Sequence, residues 1–176
     1  MAIKLFLKIF FSLPVWLLRC LTFQKSTIIN NQILDFQTQV FLKLQSLQAN
    51  TFDNPNTFNS AQELREELES GRDGLPLNAK PRRFVQTIDH FIPTEFGELK
   101  IREYCPERVL MESPILYFHG GGYVLGSIST HDPWLKFFSA EIGAKIFSLE
   151  YRLAPENKFP SSVQDSNLAL EWLENK

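Results

Sequence analysis

The sequence holds only two cysteines, Cys20 and Cys105. Two thiols so far apart make neither a disulfide framework nor a metal-ligand cluster, so both are expected to be free and to fill space. An excess of charge of one sign is also missing. The net charge is -2, which gives no electrostatic footprint for nucleic acid. No apolar run reaches the roughly 20 residues that a spanning helix needs. The nearest is Ile9 to Leu18, broken by Ser12, surrounded by Lys4, Lys8 and Arg19, and kinked by Pro14. Leu17-Leu18-Arg19-Cys20 matches a lipoprotein cleavage box only loosely, because Arg19 stands where a small residue belongs. Two readings of this segment stay open: a helix packed on the protein body, or a basic, aromatic helix lying on a membrane surface through residues 1–25. The expected compartment is the cytoplasm, with membrane association as the alternative, and the oligomeric state is left open.

What is present is the composition of a globular protein. Hydrophobic residues make up 44% and charged residues 22%, which argues against disorder. The 176 residues suffice for one ordinary domain with its own core. The 16 phenylalanines spread over the whole chain and read as core or interface mass rather than as a repeat.

Residues 1–80 look helical. Between Asn31 and Leu47 the apolar residues Ile33, Leu34, Phe36, Val40, Phe41, Leu44 and Leu47 fall close to helical spacing. Thr51 to Phe58 reads as loop, rich in Asn and Thr. Ser60-Ala61-Gln62-Glu63 reads as a capping box whose helix runs to Ser70 and stops at Gly71. Gly74 to Pro81 is a linker. After Pro81 the texture changes to strands. Phe84 to Ile92 and Leu99 to Tyr104 make an expected antiparallel hairpin, with Leu99, Ile101 and Glu103 opposite Lys100 and Arg102. Pro114 to Phe118 is a short apolar run of the kind buried in parallel sheets. A helix over His131 to Ile142 places Trp134, Leu135, Phe138 and Ile142 on one side. A strand over Ala144 to Tyr151 and a helix over Ser161 to Trp172 follow. Hairpin, strand, helix, strand and helix in that order point to an α/β fold whose sheet becomes parallel. The expected organisation is a helical N-terminal cap region over 1–80 and the first half of an α/β domain over 81–176.

The strongest chemical signal is His119-Gly120-Gly121-Gly122-Tyr123, directly after the apolar strand. Three consecutive glycines cost backbone entropy and need a reason. Close approach supplies one: bare backbone N–H groups can meet a developing negative charge, as an oxyanion hole does. A flexible surface loop is the plain alternative. A phosphate-binding loop fits less well, because neither glycine fingerprint of that kind is present.

This pattern is found in lipases and esterases of the α/β-hydrolase fold. Glu150-Tyr151-Arg152-Leu153-Ala154-Pro155-Glu156, followed by Phe159-Pro160, and Gly126-Ser127 with Thr130-His131-Asp132 extend the likeness. Together they resemble the hormone-sensitive-lipase-like esterases, from about Glu63 to the last residue. Glu150 departs from the usual Asp. The resemblance implies that Gly121 and Gly122 donate oxyanion N–H groups, that Gly120 permits the turn, and that His119 supports the loop rather than acting as a base. It places Tyr123 at the substrate. It assigns Arg152 and Glu156 to polar contacts that tie the loop after the fourth strand, with two solvated charges as the plain alternative. Ala154-Pro155 and Phe159-Pro160 are candidates for cis bonds. His90 and His131 are expected to be structural. No cofactor or metal is implied, and the expected partner is a small-molecule ester.

The enzymes of this type use a Ser on a G-x-S-x-G elbow, then an acid, then a His. No G-x-S-x-G occurs in the sequence, and no His follows His131. Ser127, Ser161 and Ser162 lack the flanking glycines. The expectation is therefore an N-terminal fragment of a carboxylic ester hydrolase that ends before its nucleophile and is inactive alone, with the third oxyanion donor missing as well. A strand over Ile115 to Phe118 without its usual neighbour would be an exposed edge. The alternative is a catalytically inactive, hydrolase-derived binding module or remnant.

Overall fold

The computed structural model describes residues 10–48, 60–72 and 81–176, apart from 11, 23, 24 and 82. The loop expected at Thr51 to Phe58 and the linker expected before Pro81 lie outside the described residues. The chain divides into two compact units, Met1–Asn59 with Gly74–Pro76, and Ser60–Asp73 with Leu77–Lys176.

In the first unit, helix α1 (Val15–Thr22) precedes a small hairpin of β1 (Ile28–Ile29) and β2 (Gln32–Ile33), and helix α2 spans Phe36–Gln48. The helical spacing read from Asn31 onward is thus corrected at its start. Asn30 and Asn31 take φ of 51° and 63°, the left-handed conformation of a two-residue hairpin turn. Asp35 then starts the helix, its carboxylate accepting from the Thr38 N–H at 2.9 Å. Gln39 joins the hairpin to the helix: its Oε1 accepts from Thr27 N–H at 2.9 Å and its Nε2 donates to Leu34 O at 2.6 Å. Leu18, Phe36 and Val40 form the unit's core, with Phe10, Leu13 and Leu44 against them. Among the described residues no helix is long and apolar enough to cross a membrane.

The second unit opens with helix α3 (Ala61–Arg72), which the Ser60 hydroxyl caps by accepting from Glu63 N–H at 3.1 Å. The helix runs past Gly71, so that glycine does not terminate it. Strands β3 (Val85–Thr94) and β4 (Gly97–Pro106) form an antiparallel hairpin whose register ends at Thr94 opposite Gly97. Strand β5 (Met111–Phe118), helix α4 (Ile128–Ile142), strand β6 (Ala144–Leu149) and helix α5 (Ser161–Glu174) follow. The sheet order is β3-β4-β6-β5. Strands β4 and β6 run antiparallel, and β5 and β6 run parallel. This is the α/β arrangement read from the sequence.

The period of two in β4 creates the layers. Leu99 and Ile101 join Phe147, Leu149, Tyr151 and Ala169 in one core, against Leu168, Trp172 and Leu173 of α5. On the other face Tyr104 and Ile146 pack with Leu135 and Ala140 of α4. Helix α4 begins at Ile128, three residues before the expected start, because Ser127 and Thr130 close a capping box at its entrance. Of the side expected to be apolar, Leu135 is fully buried, whereas Trp134 is half exposed and stacks on Phe138 at 4.9 Å between ring centres. Gly143 ends the helix at φ 66°, where a side chain would strike Leu110. Strand β5 lies at the sheet edge and has a register irregularity between Met111 and Ile115. Pro114 falls in that stretch, a place where an edge strand tolerates a missing N–H.

Candidate active site

Strand β5 delivers the glycine loop to the end of the sheet. His119, the residue after the strand, is buried. Tyr151, just past β6, donates its hydroxyl to the His119 carbonyl at 2.6 Å and stacks on the imidazole with ring centres 4.2 Å apart. The His119 Nδ1 lies 3.0 Å from Gly120 O, which fits a proton on Nδ1. Burial holds the imidazole below its ordinary pKa of 6.5, with the Gly120 hydrogen bond opposing, so the ring is neutral at pH 7.

Beyond His119 the backbone turns through conformations that side chains rarely adopt. Gly121 has φ 132°, and a Cβ there would collide with the Leu125 backbone carbonyl. Gly122 sits at φ 62° and Tyr123 at φ 63°. A tyrosine in the left-handed region costs on the order of 1 kcal/mol or more. The loop offsets that cost with fixed hydrogen bonds: Leu125 N–H donates to Gly121 O at 2.9 Å, and Ala154 N–H donates to Tyr123 O at 2.8 Å. Gly126 completes the turn, since a Cβ on it would fall on Gly120 O and the His119 ring.

Gly120, Gly121 and Gly122 line a cavity of about 440 Å³. Phe118, Tyr123 and Tyr151 form other parts of its wall, and Ser162, Val163 and Ser166 come from the first turns of α5. Three residues without side chains leave the backbone bare toward this space. Tyr123 is 64% exposed at its mouth. A second hollow of about 540 Å³, bounded by Ile92, Trp172 and Lys176 among others, shares no residue with the glycine loop.

The segment after β6 forms the other side of the site. Glu150 accepts the Ile128 N–H at 2.9 Å at the start of α4, and burial pushes its carboxyl pKa up. Arg152 grips Asp165 of α5: its Nη2 donates to Oδ1 at 2.8 Å, its Nε reaches both oxygens at 3.0 Å, and its backbone N–H donates to Oδ2 at 2.8 Å. The guanidinium also lies 4.2 Å from the centre of the Phe96 ring. Both Ala154-Pro155 and Phe159-Pro160 are cis. Glu156 pairs with Arg65 of α3 at 3.0 and 2.9 Å.

His90 and His131 do not line the cavity. His90 bonds Glu103 at 2.9 Å, on the face of the sheet that α5 covers. His131 lies beside the site, its ring centre 5.8 Å from that of His119. Among the described residues no group of three or more His, Cys, Asp and Glu is placed to hold a metal ion. Cys20 and Cys105 are free thiols. Asp165, Arg65 and Tyr151 were not singled out from the sequence. Tyr151 stood inside a quoted motif, while Asp165 and Arg65 gave no local signal.

Residues 115–176 match a protein family described as having the alpha/beta hydrolase fold. An arylesterase of Saccharolobus solfataricus is 38% identical over 112 residues, which is 63% of this chain and 35% of the relative. The solved hyperthermophilic esterase of Pyrobaculum calidifontis superposes with a TM-score of 0.67 at 30% identity, over 78% of this chain and 43% of that one. A solved esterase of the bacterial hormone-sensitive lipase family superposes at 0.59 with 27% identity, over 78% and 42%. The chain thus spans about a third of the arylesterase and under half of these solved structures. With the partly parallel sheet, the helices on both faces and the glycine loop at the end of β5, these likenesses show the α/β-hydrolase fold in this chain and a similarity to carboxylic ester hydrolases, an esterase of the hormone-sensitive lipase family among them.

Proposed function

We propose that the protein to which these residues belong hydrolyses small carboxylic esters through an acyl-serine intermediate. Residues 1–80 are its N-terminal cap region, and residues 81–176 are the first half of its catalytic domain. In such a reaction a serine Oγ adds to the ester carbonyl carbon, and negative charge gathers on the carbonyl oxygen. Gly121 and Gly122 donate backbone N–H groups to that oxygen, whereas Gly120 leads into the turn without itself taking positive φ or excluding a Cβ. Fixed donors aimed at developing charge are worth about 2.7–4 kcal/mol each in the transition state. His119, neutral and buried, supports the loop through its stack on Tyr151, and Tyr123 meets the substrate at the mouth. Arg152 and Glu156 hold the facing loop. The nucleophile, acid and histidine are supplied outside residues 1–176.

The observation that carries this reading is the conformation of the glycine loop. Gly121 and Gly122 occupy positive φ on the wall of the cavity, and no Cβ fits at Gly121. The test is hydrolysis of p-nitrophenyl acetate and butyrate by the full-length protein. Turnover abolished by a serine-directed phosphonate supports the proposal; a folded full-length protein that cleaves neither ester overturns it.

Peripheral membrane contact through residues 1–25 belongs to the same proposal. Trp16 is 66% exposed on α1, with Arg19 and Lys25 also at the surface, which fits an aromatic and basic face meeting anionic lipid.

A further inference from the structure

The contacts of α3 give the glycine loop a support outside both family-like motifs. Arg65, 59 residues before Val124 in sequence, donates from Nε to the Val124 carbonyl at 2.7 Å. Its Nη2 donates to the Ala154 carbonyl at 2.7 Å. Nη1 and Nη2 hold the two Glu156 oxygens at 3.0 and 2.9 Å. The Arg65 side chain is only 17% exposed. One guanidinium therefore joins three partners on two loops that are themselves tied, because Ala154 N–H donates to Tyr123 O. One turn further along α3, Glu69 accepts the Ser127 hydroxyl at 3.2 Å, at the far end of the glycine loop.

These contacts match the donor inventory of arginine and no other side chain. Four donated bonds in a fixed fork need a planar group with several N–H directions, whereas lysine offers one rotating ammonium. Both carbonyls belong to loop residues without a strand partner, so the side chain supplies the hydrogen bonds that secondary structure would otherwise provide. Val124 follows directly on Gly121, Gly122 and Tyr123, and its own N–H closes on Gly121 O at 3.2 Å. Fixing the Val124 peptide therefore fixes the exit of the turn that holds the glycines.

We infer that Arg65 is a positioning residue for the oxyanion loop, and that α3 clamps that loop from outside the cavity, with Glu69 as the second, weaker hold. Arg65 touches no reacting atom; it acts through the peptides of Val124 and Ala154. The inference rests on the proposed esterase function for its catalytic consequence, but not for the geometry of the clamp.

The test uses the full-length protein with R65A, R65K and E156Q. Backbone hydrogen exchange at Val124, Leu125 and Ala154 reads the loop directly. Hydrolysis of p-nitrophenyl butyrate reads its effect. R65A is expected to speed exchange at those three amides by about tenfold or more and to lower kcat by about 10–100-fold, with KM little changed, as for a misplaced donor. R65K is expected to rescue neither readout. E156Q keeps both carbonyl contacts and is expected to show a smaller effect in each. Unchanged exchange in R65A overturns the clamp. Faster exchange with unaltered kcat in an active protein overturns the positioning role. A lower melting temperature with uniform exchange throughout the chain also overturns it, since that is general destabilisation. If the wild type cleaves no ester, the proposed function fails, and the exchange data alone decide whether Arg65 holds the loop.

Discussion

Alanine placed at each of the three consecutive glycines should have three different effects, and the order follows from the geometry. Gly121 is the severe case. Its φ of 132° is nearly closed to a residue with a Cβ, and the added carbon would overlap the Leu125 carbonyl, which is backbone and cannot swing aside. The local strain is about 1–3 kcal/mol if the turn keeps its shape. The turn cannot keep it, so the Gly121 N–H leaves its position. Loss of one oxyanion donor lowers kcat by about 10²–10³. Gly122 is intermediate. Nothing lies within 4 Å of its would-be Cβ, but φ of 62° places alanine in the left-handed region. That costs roughly 1–2 kcal/mol of stability, and the donor stays in place. Gly120 is mild: its Cβ also meets open space and its φ is not among the positive values. G120A should leave unfolding free energy within about 0.5 kcal/mol of wild type and kcat within about threefold, with any further effect on KM. Urea unfolding and ester hydrolysis on the same three variants supply both axes. A G121A protein with wild-type kcat, or a series in which G120A is worst, would refute the assignment of these backbone groups.

Three further outcomes follow from the contacts. D165A removes the acceptor of four Arg152 hydrogen bonds at a buried position. Breaking such a pair costs about 3–5 kcal/mol, and the partial exposure of Arg152 puts the result near 3; a loss under about 1 kcal/mol in urea unfolding would mean that the pair does not anchor the loop. His119 and His131 are both held below their ordinary pKa of 6.5 by burial. The unfolded chain therefore binds more protons in the window just below 6.5, and stability is full above it and falls as pH drops through it. Glu150, raised above 4.5 by burial, works in the opposite sense at lower pH. The unfolding free energy should be lower at pH 5.5 than at pH 7.5, and H119Q should flatten the difference; a flat profile in the wild type contradicts the burial of these rings. Finally, W16A with R19A should weaken co-sedimentation with phosphatidylserine vesicles, whereas equal binding by wild type and variant, or none by either, removes the membrane role of α1.

How far the sequence carries depends on whether a feature is local. The β3–β4 hairpin was legible because its alternation is short-range and both faces of β4 are used: Leu99 and Ile101 go to one core, and Tyr104 goes to the other. The glycine loop and the segment after β6 were legible as motifs. In the N-terminal unit the apolar spacing continues through Ile33 and Leu34 and points to a helix, whereas the Asn30-Asn31 pair, which favours a left-handed turn, decides for a hairpin before α2. The helix spacing of Trp134, Leu135, Phe138 and Ile142 marks the body of α4 but not its start, which the Ser127 and Thr130 capping box sets at Ile128. Arg65 could not be found at all. On α3 it reads as one charge on a solvated helix face, and its partners stand 59, 89 and 91 residues away. Asp165 likewise looks like a polar residue of an amphipathic helix until the fold brings Arg152 over it.

The oxyanion role of the glycine loop turns on where the charge of the tetrahedral species is held. The most direct measurement is the amide spectrum of the ¹⁵N-labelled full-length protein before and after reaction with an alkyl phosphonate, whose adduct places an anionic oxygen where the oxyanion would form. The amide protons of Gly121 and Gly122 should move strongly downfield, with the Gly120 amide nearly still. A covalent adduct that leaves the Gly121 and Gly122 amides unshifted would contradict the central claim.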